Sequence, residues 1–364
     1  MISQRGKETP GAVALVLCLA LGGCGVARLL QPAPAEAPKD AVMPPSLRFT
    51  LADGTILPAR SWLPPAGVPW RGVILALHGF TDSRDAWEVP APRFTAAGYA
   101  LYAPDQRGWG AAADRGRWAG GPRMASDAGE IVAQLRALYP GLPVIVMGES
   151  MGGAIAALLA ARPDAPQDAT VLLAPAVWGW DQQNPALAAA LRGLNAVEPG
   201  WAPDPGRAAP PIMASDNIGA LRRMGQDPLT LRNPPISATK GLVDLMSEAQ
   251  DAMPHLHGRV LILSGRRDQL VPGAATAAAW AKLPPEVRRA FYPHGYHLLP
   301  RDSARDLVID DILAWLADPD AWLPSGADAA AAAWEASAPW QGGPSSLLPA
   351  TGTDTDFQPD VWPF

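Results

Sequence analysis

Short apolar runs, each closed by Gly, Asp or Pro, alternate with segments of helical length through most of this chain. The runs that predict strands are 72–79, 100–105, 143–148, 170–175, 259–265 and 288–293. The segments that predict helices are 85–97, 123–139, 151–162 and 303–316. Continuous apolar strands that alternate with helices are typical of a mostly parallel sheet covered on both faces. The pattern therefore predicts an α/β fold.

Three segments depart from this rhythm. Around Asp53-Gly54, residues 47–64 predict two strands joined by a turn. Residues 176–258 contain no strong strand but carry several tryptophans and two helical pieces, which favours an ordered cap over a disordered loop. We therefore expect a core formed by 47–175 and 259–317, with the cap inserted late in the sheet. Residues 318–364 are low in complexity and predict a loosely packed tail.

Composition excludes one class of partner. The chain has 364 residues, 48% of them hydrophobic, and a formal net charge of −6 without a cluster of Lys or Arg. Because binding to nucleic acid requires a basic face, we expect no nucleic-acid partner. The sequence leaves the oligomeric state open.

The first residues predict an export signal. Arg5 and Lys7 precede a compact apolar stretch, residues 11–21, that is too short to span a bilayer. Leu21-Gly22-Gly23-Cys24 resembles the lipobox of bacterial lipoproteins, which implies a signal peptide over 1–23 and lipidation of Cys24; the alternative is an ordinary signal peptide that ends near a cysteine. We expect residues 24–46, rich in Pro and Ala, to form a tether. The resemblance implies a bacterial envelope location, anchored on the periplasmic side of the outer membrane.

The motif "GESMG", with Ser150 at its centre, follows a predicted strand and precedes a predicted helix. This context is that of a nucleophile elbow, in which small residues at Gly148 and Gly152 let strand and helix approach closely. Glu149 occupies the variable position of the motif, where its role is not indicated by the sequence. We interpret Ser150 as a nucleophile, and a serine hydroxyl requires a base.

Enzymes with this elbow place the acid and then the histidine after the serine. His78 precedes Ser150, and His255 and His257 precede the strand at 259–265, so the base is His294 or His297. We favour His297, which lies one loop beyond the strand and is followed by the last helix. Asp268 lies directly after the strand at 259–265, where it would hold the tautomer of the imidazole.

The same enzymes stabilise the developing oxyanion with two backbone N–H groups. Met151, the residue after the nucleophile, would supply one. The loop "HGFTDS" would supply the other from Phe80, with His78 and Gly79 shaping the loop. We interpret Asp105 and Arg107 of "PDQRGWG" as a charged pair that fixes a turn beneath the site.

With these motifs the chain resembles the α/β-hydrolase superfamily, and within it the monoacylglycerol lipase, lysophospholipase and serine aminopeptidase group. The matching stretches are "LHGFTDS", "PDQRGWG", "GESMGGAIA", "DPLTLRNPPISA", "SGRRDQLVP" and "GYHLL", in family order. The resemblance implies an eight-stranded, mostly parallel sheet with helices on both faces and a helical cap over an apolar acyl or alcohol pocket. It also implies a Ser150–Asp268–His297 triad, Phe80 and Met151 as oxyanion donors, and no metal or organic cofactor.

Three functions follow as alternatives. The first is hydrolysis of a carboxylic ester with an apolar acyl chain, such as a monoacylglycerol or a lysophospholipid. The second is a proline-preferring aminopeptidase, which would hold its substrate amine with cap carboxylates such as Asp181, Glu198 and Asp204. The third is a non-catalytic envelope lipoprotein built on the same fold.

Overall fold

A computed structural model describes residues 43–204 and 212–337 as an eight-stranded sheet in the order β1-β2-β4-β3-β5-β6-β7-β8. The strands are β1 Leu47–Thr50, β2 Ile56–Trp62, β3 Gly72–Leu77, β4 Tyr99–Pro104, β5 Val144–Glu149, β6 Ala169–Leu173, β7 Arg259–Gly265 and β8 Arg288–Tyr292. The helices are α1 Ala91–Ala96, α2 Gly121–Leu138, α3 Met151–Ala160, α4 Pro185–Val197, α5 Ile218–Gln226, α6 Ile236–Ala252, α7 Gly273–Trp280, α8 Arg305–Ala317 and α9 Ala327–Ala336.

Strand β2 pairs antiparallel with both β1 and β4, and all pairs from β4 to β8 along the sheet are parallel. Every residue of β3, β4, β5 and β6 is buried. Alternate residues of β3 enter different cores, Leu75 on one face and Ile74 on the other. Burial on both faces explains why these strands are continuous apolar runs, and it confirms the predicted α/β fold.

The register of the parallel strands places several loops at one edge of the sheet. Leu77 of β3 pairs with Gly148 of β5, Glu149 of β5 with Leu173 of β6, and Gly265 of β7 with Tyr292 of β8. The carboxyl ends of these strands therefore lie together, where open parallel sheets bind ligands. The loops that leave them carry Phe80, Ser150, Asp268 and His297.

Between β6 and β7, residues 176–258 contribute α4, α5 and α6, and no strand among the described part of this segment. We call this stretch the cap segment. Trp178, Trp180 and Trp201 pack against the main hydrophobic core. The Gln250 amide donates to the carbonyls of Val177 (2.6 Å) and of Ala275 (3.1 Å), which ties α6 to the core.

The structure corrects two expectations. The helix predicted at 85–97 is a 3-10 turn, Arg84–Trp87, followed by α1, because Pro90 and Pro92 lack the N–H that a continuous helix would need. The tail predicted to pack loosely from residue 318 includes α9, whose Trp334 stacks on Phe291 of β8 with ring centroids 4.4 Å apart. Aromatic burial against the edge strand holds this helix in place.

Other expectations lie outside the described residues. They are the signal peptide with Cys24, the tether up to residue 42, and the tail beyond residue 337. Across 43–204 and 212–337, no helix is both long enough and apolar enough to cross a membrane.

Candidate active site

Ser150 occupies a strained turn between β5 and α3. Its φ is 53° and its ψ is −114°, a conformation that L-residues rarely adopt. The flanking glycines are required by space: a Cβ on Gly148 would lie 2.1 Å from the Gly152 carbonyl oxygen. A Cβ on Gly152 would lie 2.3 Å from the carbonyl oxygen of Leu77. The turn therefore has the geometry of a nucleophile elbow.

Asp268 and His297 form a buried pair. Asp268 Oδ2 is 2.7 Å from His297 Nδ1, and both side chains are less than a tenth exposed. Asp268 Oδ1 accepts from the N–H groups of Leu270 (2.8 Å) and Val271 (2.9 Å). These bonds fix the carboxylate, and the carboxylate in turn orients the imidazole ring so that Nε2 is the nitrogen left for chemistry.

The loops that carry this pair are packed backbone against backbone. The N–H of Arg267 donates to the Gly295 carbonyl at 2.9 Å. A Cβ on Gly265 would lie 2.3 Å from the same carbonyl oxygen, so only glycine permits the approach. His294 is exposed in this loop, whereas His297 is buried. Of the two candidate histidines, His297 is the one that contacts Asp268.

Burial opposes a charge on His297, but the neighbouring carboxylates outweigh it. The attraction and the hydrogen bond of Asp268, together with the field of Glu149, raise the pKa of His297 above its ordinary value. Arg301 acts in the opposite direction. The site therefore favours the imidazolium that a general base forms when it takes a proton.

The loop after β3 reaches the elbow. A Cβ placed on Gly79 would be 3.5 Å from the Cβ of Ser150. His78 shapes this loop: Nδ1 donates to the Gly79 carbonyl (2.8 Å) and Nε2 accepts from the N–H of Gln106 (3.1 Å). Burial lowers the pKa of His78, which agrees with the neutral ring that this bonding needs.

Phe80 directly follows Gly79 in the loop that approaches Ser150, and Met151 directly follows Ser150. Phe80 packs edge-to-face on Trp109 with ring centroids 4.8 Å apart. Met151 is the first residue of α3, where the backbone N–H has no partner within the helix and lies at the positive end of the helix dipole. Among the described residues, Ser150 and His297 are not joined by a direct hydrogen bond, a contact that often tightens only when substrate binds.

A buried ion cluster beside the elbow was not predicted. The guanidinium of Arg301 donates to Glu149 Oε2 at 2.6 Å and to Asp82 Oδ2 at 2.8 Å, and all three side chains are almost completely buried. The three residues are far apart in sequence: Glu149 ends β5, Asp82 lies in the loop after β3, and Arg301 follows the loop after β8. The polar letters "TDS", "GES" and "LPRD" beside apolar strand ends were the only signal in the sequence.

The prediction that Asp105 pairs with Arg107 is wrong. Asp105 pairs with the buried guanidinium of Arg84 and accepts from the N–H of Ala111 at 2.8 Å. Arg107 instead bonds Asp127 at 2.7 Å and Asp53 at 2.9 Å. Arg107 lies two positions after Asp105 on an irregular loop, and its side chain points in another direction. Both residues are structural, but they contact different partners.

Two parts of the cap segment are bonded to the loops of the site. From "DPLTL", the Leu231 N–H donates to the Thr81 carbonyl in the loop after β3 (2.8 Å). From "MASDN", the Ser215 hydroxyl donates to Asp302 at 2.6 Å, just after the loop of His297. Burial raises the pKa of Asp302 to about 6. The cap segment is therefore hydrogen-bonded to loops at the sheet edge that carries the candidate site.

The cap carboxylates expected for an amine site lie near the surface. Asp181 and Asp204 are exposed, and Glu198 is half-buried. In the residues that the structure describes, no group of three or more His, Cys, Asp or Glu side chains is arranged to hold a metal ion.

Comparisons with known proteins identify the family of the chain. Residues 69–304 match the hydrolase family described as serine aminopeptidase, S33. The chain belongs to this family. A monoacylglycerol lipase of Mycolicibacterium smegmatis is 30% identical over 68% of the chain and 88% of its own length. Human monoglyceride lipase is 28% identical over 73% of the chain and 88% of its own length.

A solved structure of the same kind supports the fold. The crystal structure of Paleococcus ferrophilus monoacylglycerol lipase superposes with a TM-score of 0.58 at 20% identity, covering 71% of the chain and 98% of that protein. The protein is therefore an α/β-hydrolase of the S33 family, similar to monoacylglycerol lipases, and it is an enzyme of the hydrolase class.

Proposed function

We propose that this hydrolase cleaves carboxylic esters with an apolar acyl chain, of the monoacylglycerol or lysophospholipid type, with Ser150 as nucleophile. The observation that carries the proposal is the buried Asp268–His297 pair at the sheet edge where Ser150 occupies a strained elbow. A nucleophile, a base and a group that orients the base are the components of acyl transfer.

In the proposed reaction, Ser150 Oγ attacks the ester carbonyl carbon while His297 Nε2 takes the hydroxyl proton. The N–H groups of Met151 and Phe80 stabilise the oxyanion, each worth on the order of 10²–10³ in rate. The carbonyl–alkoxy bond then breaks, and His297 returns the proton to the departing alcohol. Water, deprotonated by His297, attacks the acyl-enzyme, and the carboxylic acid leaves as Ser150 regains its proton.

Three features support a lipid substrate. The similar proteins of Mycolicibacterium smegmatis and human are a monoacylglycerol lipase and a monoglyceride lipase. The cap segment carries several large apolar side chains packed above the core. A lipid anchor on Cys24, which we also propose, would hold the enzyme at a membrane on the periplasmic side of the outer membrane.

The test uses the full chain in detergent micelles and a Ser150→Ala control. We expect a fluorophosphonate to label the wild type at Ser150 and the control to lose both labelling and hydrolysis. In a panel of monoacylglycerols, lysophospholipids and proline p-nitroanilide, we expect the esters to be cleaved. Faster cleavage of the anilide would favour the aminopeptidase, and an unreactive Ser150 would favour a non-catalytic lipoprotein.

A further inference from the structure

The Arg301 guanidinium lies where three loops of the candidate site meet. Its two terminal nitrogens bond Glu149 at 2.6 Å and Asp82 at 2.8 Å. Glu149 immediately precedes Ser150, Asp82 belongs to the loop that carries Phe80, and Arg301 follows His297 by one short turn. One side chain therefore connects the elbow, the oxyanion loop and the histidine loop.

Stability of the fold alone does not explain this cluster of buried charges. All three side chains are at most 5% exposed, and taking three charges out of water carries a desolvation penalty that their attraction need not recover. Its bonding is also incomplete: within the described part of the chain, Glu149 Oε1 and Arg301 Nε are buried without hydrogen-bond partners. A purely structural contact would be served better by apolar side chains of similar volume.

Glu149 also acts on the imidazole. Its field is among those that raise the pKa of His297, after the attraction and the hydrogen bond of Asp268, while burial raises the pKa of Glu149 itself. Asp82, bonded to the same guanidinium, raises the pKa of His78. The field of Asp82 is not among the largest at His297, so the two carboxylates of Arg301 have equal bonding roles but act on that ring to different extents.

We propose that Glu149 and Arg301 are positioning residues of this active site. Arg301 holds the three loops in register, and Glu149 fixes the guanidinium beside the nucleophile, from where the field of its carboxylate reaches His297. This inference rests on the proposed function, because it assigns roles within that same site. It gives the glutamate of "GESMG" a role in holding the elbow to the loop that carries His297.

The decisive experiment compares Glu149→Gln with Asp82→Asn by the pH dependence of kcat/KM. Each variant removes one carboxylate and leaves Arg301 one partner, so each keeps a neutral buried pair. We expect Glu149→Gln to move the acid limb to lower pH by about 0.5–1 and to lower kcat about tenfold. We expect Asp82→Asn to move the acid limb less than Glu149→Gln does.

The outcomes separate this inference from the proposed function. If the wild type is not labelled at Ser150 by a fluorophosphonate, the proposed function fails before the comparison begins. If the wild type is labelled but Glu149→Gln keeps the wild-type acid limb, or both variants shift it equally, the inference is overturned. Circular dichroism establishes that each variant is folded before its profile is measured.

Arg301→Lys keeps the test decisive if Glu149→Gln does not fold. Lysine retains the positive charge but lacks the planar fork that bonds two carboxylates at once. We expect kcat to fall about tenfold with little change in KM. The reason is that the loops lose the guanidinium that bonds both Glu149 and Asp82, while the contacts with substrate remain. An unchanged kcat in folded Arg301→Lys would contradict the positioning role.

Discussion

His297 is a buried imidazole whose charge is favoured by its neighbours in spite of burial. A general base with a raised pKa is protonated, and therefore inactive, over a wider acid range than a free imidazole. Activity should be present above the pKa of His297 and lost as the pH falls through it. The position of the acid limb of kcat/KM thus reports the pKa of His297 and, through it, the electrostatic field at the ring.

Asp268→Asn tests the larger source of that field. The amide cannot provide the negative charge that orients and stabilises the imidazolium, so we expect kcat to fall by on the order of 10³–10⁴. The acid limb should also move to lower pH, because Asp268 is the main group that raises the pKa of His297. Steady-state kinetics across pH on a soluble p-nitrophenyl ester would measure both effects.

Asp251→Asn is the matched control for this substitution. Asp251 is an exposed residue of α6, so the same chemical change there should leave kcat and the pH profile unaltered. An Asp268→Asn variant that retains more than a tenth of the wild-type kcat would contradict the orienting role of Asp268.

At the scale of residues, the sequence predicts the candidate site residues that lie at a fixed place relative to the strands and helices. Ser150 follows a predicted strand and precedes a predicted helix, and Asp268 directly follows the predicted strand at 259–265. The local pattern is therefore enough to propose both residues. The Asp82–Glu149–Arg301 cluster has no such order, since its contacts exist only after three strands pair. Arg107 shows the same limit: its partners Asp53 and Asp127 lie on other elements, whereas sequence proximity indicated Asp105.

At the scale of elements, α9 shows how aromatic packing decides whether a low-complexity segment folds. Alanine dominates the sequence of α9, which gives it helix propensity but little apolar surface. Trp334 supplies that surface: it stacks on Phe291 and meets Trp280 edge-on, with centroids 5.0 Å apart. Trp334 therefore supplies the aromatic contacts between this helix and β8, the last strand of the sheet, beside the ion pairs of Asp328 and Glu335 with Arg288 and Arg289.

Trp334→Ala should lower the free energy of unfolding by about 2–3 kcal/mol, because a half-buried indole and its two ring contacts are lost. Denaturant unfolding monitored by circular dichroism would measure the change. Trp322→Ala is the control, since Trp322 is 76% exposed and contacts only the cation of Arg288 among its ring partners in the described residues. We expect less than about 1 kcal/mol there, and equal losses in the two variants would contradict the packing argument.

The elements that the sequence predicts well are those whose burial is uniform. The buried strands β3 to β7 are continuous apolar runs and were placed within about two residues of their observed ends. Helices α5 and α7 were not predicted, because α5 is a short helix with several polar residues and α7 is a short, alanine-rich helix after Pro272.

At the scale of the whole molecule, the cap segment and the core form one hydrogen-bonded unit around the sheet edge. The Arg115 guanidinium donates to the carbonyl oxygen of Leu229 at 2.6 Å, and the Leu298 N–H donates to that of Ala214 at 2.9 Å. The segments that would shape the substrate pocket are thus fastened to the loops that would perform the chemistry. A lipid substrate would reach such a site most readily if the enzyme were held at a membrane surface.

The proposed anchor makes a prediction that the two cysteines of the chain can decide. In bacteria expressing the full chain and fed a labelled fatty acid, we expect the wild type to incorporate the label and to sediment with membranes. Cys24→Ser should lose both properties, because the thiol that carries the lipid is gone and each buried methylene contributes about 0.8 kcal/mol to membrane binding. Cys18→Ser should keep both, since Cys18 lies within the predicted signal peptide and would leave with it. Label retained by Cys24→Ser, or lost equally from both variants, would contradict a lipid anchor at Cys24 and remove membrane proximity as support for a lipid substrate.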